Sequence, residues 1–170
     1  MLKSFWTWYE RHYLLNISIA LGLFILQIIH LLWLFSDVIW LKLFGSQLLP
    51  ITPLFQTIIV LVDYTEIPAL LSTALIYVNE LRKGYSTKNL VYILLLLTQP
   101  IHMFWITDEF VVQQFSGSPD PAIMLPAWLA WVAIMIDYLE LPVIFDTTKR
   151  LIKTLEDRNL LDIKEALNKK

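Results

Sequence analysis

Four long apolar stretches separated by short polar segments organise the chain. Residues 14–41, 53–79, 90–112 and 127–148 contain no Lys or Arg. A helix needs about 20 residues to cross a hydrocarbon core of about 30 Å, and each of these stretches is longer than that. In each stretch, apolar residues lie on all faces of the predicted helix and not along a single stripe, as a lipid-exposed helix requires. The pattern predicts four transmembrane helices. The alternative is a helix bundle buried in water, but too little polar sequence remains to coat it.

The connecting segments and the composition support this interpretation. Each of the three connections contains glycine, and the first and third also contain proline, which is typical of turns. The first stretch is too long for a signal-peptide core and no small-residue cleavage site follows it, so we expect it to remain in the mature protein. Only 16% of the residues are charged, against about 25% in soluble domains. The absence of Cys excludes thiolate metal ligands, and a formal charge of −2 excludes a strongly basic nucleic-acid binder.

The basic residues predict the orientation of the chain. Twelve of the 13 lie before the first stretch, in the middle connection or after the fourth stretch, and only Lys42 lies in the outer connections. By the positive-inside rule, both termini are expected in the cytoplasm, in a multi-pass protein of a cell membrane or an equivalent organelle membrane. Residues 1–170 are expected to form a single membrane domain, whose tail, residues 151–170, is either an amphipathic segment or an extension of the fourth helix.

Acidic residues are concentrated inside the apolar stretches. A charge near the centre of a bilayer costs at least a few kcal/mol, so each acid must bind a proton, bind a cation or reach water. Asp108 and Asp146 are expected to be solvated, because Asp108 has Ser36 as its counterpart in the repeat described below and Asp146 lies near a helix end. The four stretches contain eight acidic residues and no Lys or Arg that could pair with them. The eight are Asp37, Asp63, Glu66, Asp108, Glu109, Asp137, Glu140 and Asp146.

The two halves of the chain resemble each other. Residues 27–33 (QIIHLLW) recur as residues 99–105 (QPIHMFW), and residues 63–68 (DYTEIP) recur as residues 137–142 (DYLELP). The offset is nearly the same for both segments, and Asp37 falls on Glu109. This pattern predicts a four-helix bundle built from a tandem repeat of two-helix hairpins, with repeat one over 14–84 and repeat two over 88–150.

Counting residues from the outer ends of the stretches places the repeated polar groups in one layer. Each residue of a helix adds about 1.5 Å along the helix axis. By this count His30, Asp63, His102 and Asp137 lie at nearly equal depth. One turn deeper lie Glu66 and Glu140. About two turns nearer the outside lie Asp37 and Glu109, on the same helix faces as the histidines.

Two His and four carboxylates match the ligand count of a di-iron or di-manganese site in a four-helix bundle. Imidazole and carboxylate ligands suit Fe, Mn or Zn, as one ion or a dinuclear centre, with Asp37 and Glu109 as further candidate ligands. In ferritin-like proteins His and Glu share one helix, whereas here they stand on different ones. The remaining candidates line the predicted site: Gln27 and Gln99 as partners of the histidines, Tyr64 and Tyr138 as carbonyl ligands freed by Pro68 and Pro142 or as ordinary kinks, and Trp33 and Trp105 as flanking rings.

Several functions fit this constellation. The first is a membrane metal centre, either a store or an oxidative enzyme acting on a lipid or quinone. The second is a cation or proton pathway with Asp37 and Glu109 as its outer acids, which favours a homo-oligomer because four helices make a thin transporter. A purely structural role of protonated acids and hydrogen-bonding histidines is the plain alternative. No motif indicates nucleic-acid contact.

A further interpretation is a lipid or sterol pocket that uses His and acids for proton transfer. His30 followed by Asp37, and Glu66 followed by residues 81–84 (LRKG), resemble the layout of the EXPERA class, the sterol isomerase and its relatives. The resemblance covers less than half of the chain and leaves out the acids of the fourth stretch. It implies a four-span fold that binds or isomerises a sterol or another lipid.

Overall fold

The computed structural model describes residues 2–46, 48, 52–112 and 127–168, and the regular structure within these ranges is helical throughout. Four helices are long and apolar enough to cross a membrane, which confirms that part of the prediction. We call them spans 1 to 4; they run over Tyr13–Phe44, Thr57–Lys83, Thr87–Ile106 and Trp128–Leu160.

Within the described ranges each span consists of shorter helical elements. In chain order these elements are α1 (Leu2–Arg11), α2 (Tyr13–Trp33), π1 (Leu34–Ile39), α3 (Trp40–Phe44), α4 (Pro53–Tyr64), α5 (Glu66–Lys83), α6 (Thr87–Thr98), α7 (Pro100–Ile106), π2 (Thr107–Val112), α8 (Ala127–Asp137) and α9 (Glu140–Asn168).

Local sequence explains several helix ends. The Thr52 hydroxyl accepts a hydrogen bond from the Phe55 N–H at 3.3 Å. It thereby caps α4, which begins with Pro53. Ser86 caps α6 in the same way. Gly45 ends α3 with a φ of 70°, a left-handed conformation that glycine adopts without steric cost. The connection over residues 113–126 lies outside the described residues.

Spans 2 and 4 are each interrupted in the middle. The helix breaks lie at Thr65 and at Tyr138–Leu139. Pro68 and Pro142 are the third residues of α5 and α9. At this position a backbone N–H has no acceptor within the helix, so proline, which lacks the N–H, removes no helical hydrogen bond. At the second break the Tyr138 carbonyl accepts a hydrogen bond from the Leu141 N–H at 3.3 Å. The Tyr138 carbonyl therefore has a backbone donor, because the chain turns and restarts a helix there, and its role as a ligand remains a prediction.

Span 3 has its own break at Gln99, with Pro100 opening α7. In addition, π1 follows α2 and π2 follows α7, so a π-helical segment begins four or five residues after each histidine of the polar layer. π-Helices are rare and occur frequently at functional sites.

The spans form a bundle in which each span packs on two neighbours. α2 of span 1 packs on α5 and α9, α5 packs on α6, and α7 packs on α8. Of the three apolar core clusters of the described residues, two flank the middle of the bundle, and the third contains Tyr9, Ile17, Ala20 and Ile76. Of the two flanking clusters, one contains Trp33, Ile59, Trp105 and Ile134, and the other contains Phe24, Ala69, Leu96 and Val143. The predicted polar layer lies between them.

The end of span 2 at residues 80–82 contacts both α1 and α9, the latter through the Glu80–Arg150 ion pair at 3.8 Å. α1 packs against span 2, where the Arg82 guanidinium lies 4.0 Å from the centre of the Trp6 ring. α9 continues without interruption to Asn168. The described part of the tail, residues 151–168, is thus helical, and its amphipathic character remains a prediction.

Candidate metal centre

Four polar side chains, one from each span, meet in the middle of the bundle. His30 comes from α2, Asp63 from the end of α4, His102 from α7 and Asp137 from the end of α8. The exposed fractions of these side chains are 0–2%. The predicted layer of two His and two Asp is thus present as a set of direct contacts.

Both histidines direct Nε2 at the same carboxylate oxygen. Asp63 Oδ1 lies 3.1 Å from His30 Nε2 and 3.3 Å from His102 Nε2. Asp137 lies slightly further away, at 3.5 Å from His30 Nε2 and 3.9 Å from His102 Nε2. His102 Nε2 is aligned for a hydrogen bond with Asp63. His30 Nε2 is aligned with neither aspartate and has no other hydrogen-bond partner within the described residues.

Glu66 and Glu140 extend the cluster. Ligand atoms of Glu66, His102 and Asp137 all lie within 4.8 Å of one another, as do those of His30, Asp63 and His102. Both glutamates are fully buried, and none of their four oxygens has a hydrogen-bond donor within the described residues. Buried carboxylate oxygens without donors are costly, which indicates that a proton or a cation satisfies them.

The helix breaks place each Asp and the following Glu at the same site. Asp63 lies just before the first break and Glu66 opens the next helix; Asp137 and Glu140 flank the second break in the same way. A carbonyl left without its helical N–H at each break must find another donor.

The N–H groups of Thr65 and Leu139 donate to the Val62 and Ile136 carbonyls, and Gln27 and Gln99 add side-chain hydrogen bonds at the same breaks. The Gln27 amide donates to the Val62 carbonyl at 3.2 Å and to the Thr65 hydroxyl at 3.0 Å. The Gln99 amide donates to the Ile136 carbonyl at 3.1 Å. The repeated glutamines therefore stabilise the breaks that carry the acids, a role that the sequence pattern did not indicate. Their predicted role as partners of the histidines remains a prediction.

The predicted tryptophans lie beside the histidines. The ring centre of Trp33 is 5.4 Å from that of His30, and that of Trp105 is 5.5 Å from that of His102. Both indoles are buried and belong to the apolar cluster on one side of the layer. They restrict the orientation of the imidazole rings.

The two tyrosines point in different directions. The Tyr138 hydroxyl donates to the Leu31 carbonyl of span 1 at 3.1 Å. The Tyr64 hydroxyl lies 2.7 Å from the Thr107 hydroxyl of π2. Asp37 and Glu109 lie in π1 and π2, but their side chains are outside the described part of the structure, so their role as ligands remains a prediction.

The electrostatic character of the layer follows from its composition. Every ion pair that the described residues form in this layer joins a His to an Asp. The four carboxylates carry up to four negative charges in a site closed by apolar clusters on both sides. A buried anionic cluster of this kind is stable only when its charge is compensated, so the arrangement is suited to hold a cation or protons.

Asp146 corrects one sequence-based expectation. The sequence predicts that it is solvated, but it is buried and forms ion pairs with Lys88 and, at 2.6 Å, with Arg150 Nε. The Tyr77 hydroxyl donates to an Asp146 carboxylate oxygen at 3.1 Å. Arg150, four residues further along the same helix, was the one signal available in the sequence, whereas Lys88 reaches Asp146 only through the fold.

No protein-family profile, curated protein or solved structure matches this chain. The geometry described above is therefore the basis for assigning a function.

Proposed function

We propose that this protein is an integral membrane protein whose bundle binds one or two transition-metal ions. The observation that carries the proposal is the convergence of His30 Nε2 and His102 Nε2 on Asp63 Oδ1. The proposed ligands are His30, Asp63, Glu66, His102, Asp137 and Glu140.

The spacing of these atoms fits a common ion. Ligand atoms bound at about 2.1 Å to one ion lie about 3.0 Å apart at right angles and about 3.4 Å apart at the tetrahedral angle. The four His–Asp separations span 3.1 to 3.9 Å. The two shorter separations already match these values, and the ligand atoms of His30, Asp63 and His102 all lie within 4.8 Å of one another.

Charge compensation accommodates one ion or two. With neutral histidines, two divalent ions balance the four carboxylates, and one divalent ion together with two protons balances them as well. Nitrogen and carboxylate donors suit Fe, Mn or Zn. Glu66 and Glu140, one turn from the aspartates, are the ligands that we propose for the second ion of a dinuclear centre.

The enclosure of the site favours an ion that is held over one that passes through. The ligands are 0–2% exposed and lie between two apolar clusters. A held ion suits a metal store or an oxidative enzyme acting on a lipid or quinone. We further propose that both termini face the cytoplasm and that the corresponding breaks, glutamines and histidines of the two halves derive from a duplicated hairpin.

Elemental analysis of the purified protein tests the proposal. Protein purified without chelator is expected to contain one or two Fe, Mn or Zn ions per chain, and the double variant His30→Ala/His102→Ala is expected to contain none. His12→Ala is the matched control, because His12 is the remaining histidine and hydrogen-bonds to the Trp8 carbonyl outside the bundle core. It should retain the metal. Metal-free wild-type protein whose thermal stability does not change on adding Fe, Mn or Zn contradicts the proposal.

A further inference from the structure

A groove of about 450 Å³ lies between spans 2 and 3, next to the candidate metal centre. Its volume is within the range of about 300–1,000 Å³ that is usual for small-molecule sites. Its rim is open, since Leu71, Leu97 and Phe104 are 65%, 67% and 72% exposed. The lining contains no charged side chain among the described residues. The groove is therefore accessible from the apolar side of the bundle and unsuited to a charged head group.

The hydroxyls of Tyr64 and Thr107 are the polar side-chain groups of the lining. The Thr107 hydroxyl donates its single proton to the Met103 carbonyl at 2.7 Å. Tyr64 must therefore be the donor in its 2.7 Å contact with Thr107. The lone pairs of Tyr64 Oη remain available to accept a hydrogen bond from a ligand. Since both hydroxyl protons are already used, the Tyr64–Thr107 pair can accept a hydrogen bond from a ligand hydroxyl but cannot donate one.

This acceptor lies deep in the apolar part of the bundle and close to the metal centre. Tyr64 lies at the far end of α4, about 16 Å from its start at Pro53. It directly follows the candidate ligand Asp63, and Met103 of the groove directly follows His102. A ligand hydroxyl at Tyr64 would thus lie close to Asp63 and His102, whose side chains meet in the polar layer.

We propose that this groove binds a neutral lipid whose head is a hydroxyl group, with the hydroxyl donating to Tyr64 Oη and the apolar body lying along spans 2 and 3. Quinols, isoprenoid alcohols and sterols share this chemistry. The bound lipid would be the molecule presented to the metal centre, and in this respect the proposal rests on the proposed function. Tyr138, the counterpart of Tyr64 in the other half, also donates its hydroxyl proton, to the Leu31 carbonyl, but it does not line this groove.

A matched pair of ligands tests the hydrogen bond directly. Tritiated geranylgeraniol is bound to the detergent-solubilised full chain and compared with its methyl ether, which has the same tail and no donor. One hydrogen bond of about 1 kcal/mol predicts about fivefold weaker binding of the ether. In Tyr64→Phe the alcohol should bind as weakly as the ether, whereas Tyr138→Phe should bind both as the wild type does.

A second pair of variants tests the location. Leu71 and Leu61 of span 2 are 65% and 64% exposed, but only Leu71 lines the groove. Leu71→Trp is expected to weaken binding of the alcohol and the ether by at least fivefold, and Leu61→Trp to change neither. Displacement of the tritiated alcohol by cholesterol or by a ubiquinol with a two-isoprene tail then identifies the natural source of the hydroxyl.

Three results overturn the inference: equal affinity of the alcohol and the ether for the wild type, an equal effect of Leu71→Trp and Leu61→Trp, or displacement by phosphatidylcholine as effective as by the alcohol. The metal content is measured in the same samples, and binding is repeated with His30→Ala/His102→Ala. Selective lipid binding in protein that holds no metal supports the groove and contradicts the metal centre alone. Metal binding without lipid selectivity overturns the groove alone.

Discussion

Replacing Glu66 by Gln removes one negative charge from the candidate metal centre and keeps the shape of the side chain. In the wild type a Glu66 oxygen and an Asp137 oxygen lie within 4.8 Å of each other. At an effective dielectric constant of about 20, two unit charges at this distance repel each other by about 3.5 kcal/mol. Without metal, the substitution is therefore expected to leave stability unchanged if Glu66 holds a proton and to raise it by up to about 3.5 kcal/mol if both acids are ionised.

With metal, the same substitution has the opposite effect. At a metal concentration of about 1,000 times the wild-type Kd, binding stabilises the folded state by about 4.1 kcal/mol. Loss of one carboxylate ligand, taken as about a 100-fold loss of affinity, reduces this to about 1.4 kcal/mol at the same concentration. For a chain of this length, each kcal/mol of unfolding free energy shifts Tm by about 2–4 °C. Metal is therefore expected to raise Tm by about 8–16 °C in the wild type and by about 3–6 °C in the variant.

The assay is thermal unfolding of the detergent-solubilised protein, followed by tryptophan fluorescence with and without Mn, Fe or Zn. Glu80→Gln is the matched control, because Glu80 lies on the same helix but pairs with Lys83 and Arg150 at the end of the bundle. It should keep the wild-type response to metal. A full metal-induced shift in Glu66→Gln refutes this reasoning. A metal-free variant that is less stable than the wild type by more than about 2 kcal/mol, the size expected for a disrupted buried contact, refutes it as well.

Two further predictions concern stability away from the ligands. Asp146→Asn removes the acceptor shared by Lys88 and Arg150 and should destabilise the protein by about 2 kcal/mol, below the usual cost of a broken buried pair because Lys88 is 58% exposed and can regain water. A loss below about 0.5 kcal/mol in thermal unfolding, which is typical of an exposed pair, contradicts this. Gln27→Leu removes the amide that donates to the Val62 carbonyl and to the Thr65 hydroxyl, while that carbonyl keeps its donors from Thr65. It should cost about 1 kcal/mol in the same assay, with no loss arguing against a role for the glutamine at the helix break.

The sequence predicted the all-helical character, the number of spans and the residues of the polar layer. These follow from local properties, since the length of an apolar stretch and the absence of Lys and Arg are visible without any tertiary contact. Counting residues along helices of known rise was sufficient to place His30, Asp63, His102 and Asp137 at one depth. The structure brings these four side chains into contact.

The sequence did not indicate that side chains of other spans hydrogen-bond to the backbone at the helix breaks. Proline at positions 68 and 142 suggested kinks, but not which side chains of other spans hydrogen-bond to the backbone there. Gln27 reaches the Val62 carbonyl over 35 positions of sequence, and Gln99 reaches the Ile136 carbonyl over 37. Such contacts depend on the rotation of each helix about its axis, which depth counting does not determine.

The amino-acid sequence alone predicts depth: which groups lie in the apolar spans, at what level, and with what total charge. Direction required the fold: two imidazole nitrogens share one oxygen of Asp63, Asp146 meets Lys88, and Tyr64 lines the groove between spans 2 and 3 whereas Tyr138 donates to span 1. The physical reason is that rise per residue is fixed by the backbone of a helix, whereas side-chain direction depends on helix rotation and on breaks, which are set by packing between distant segments.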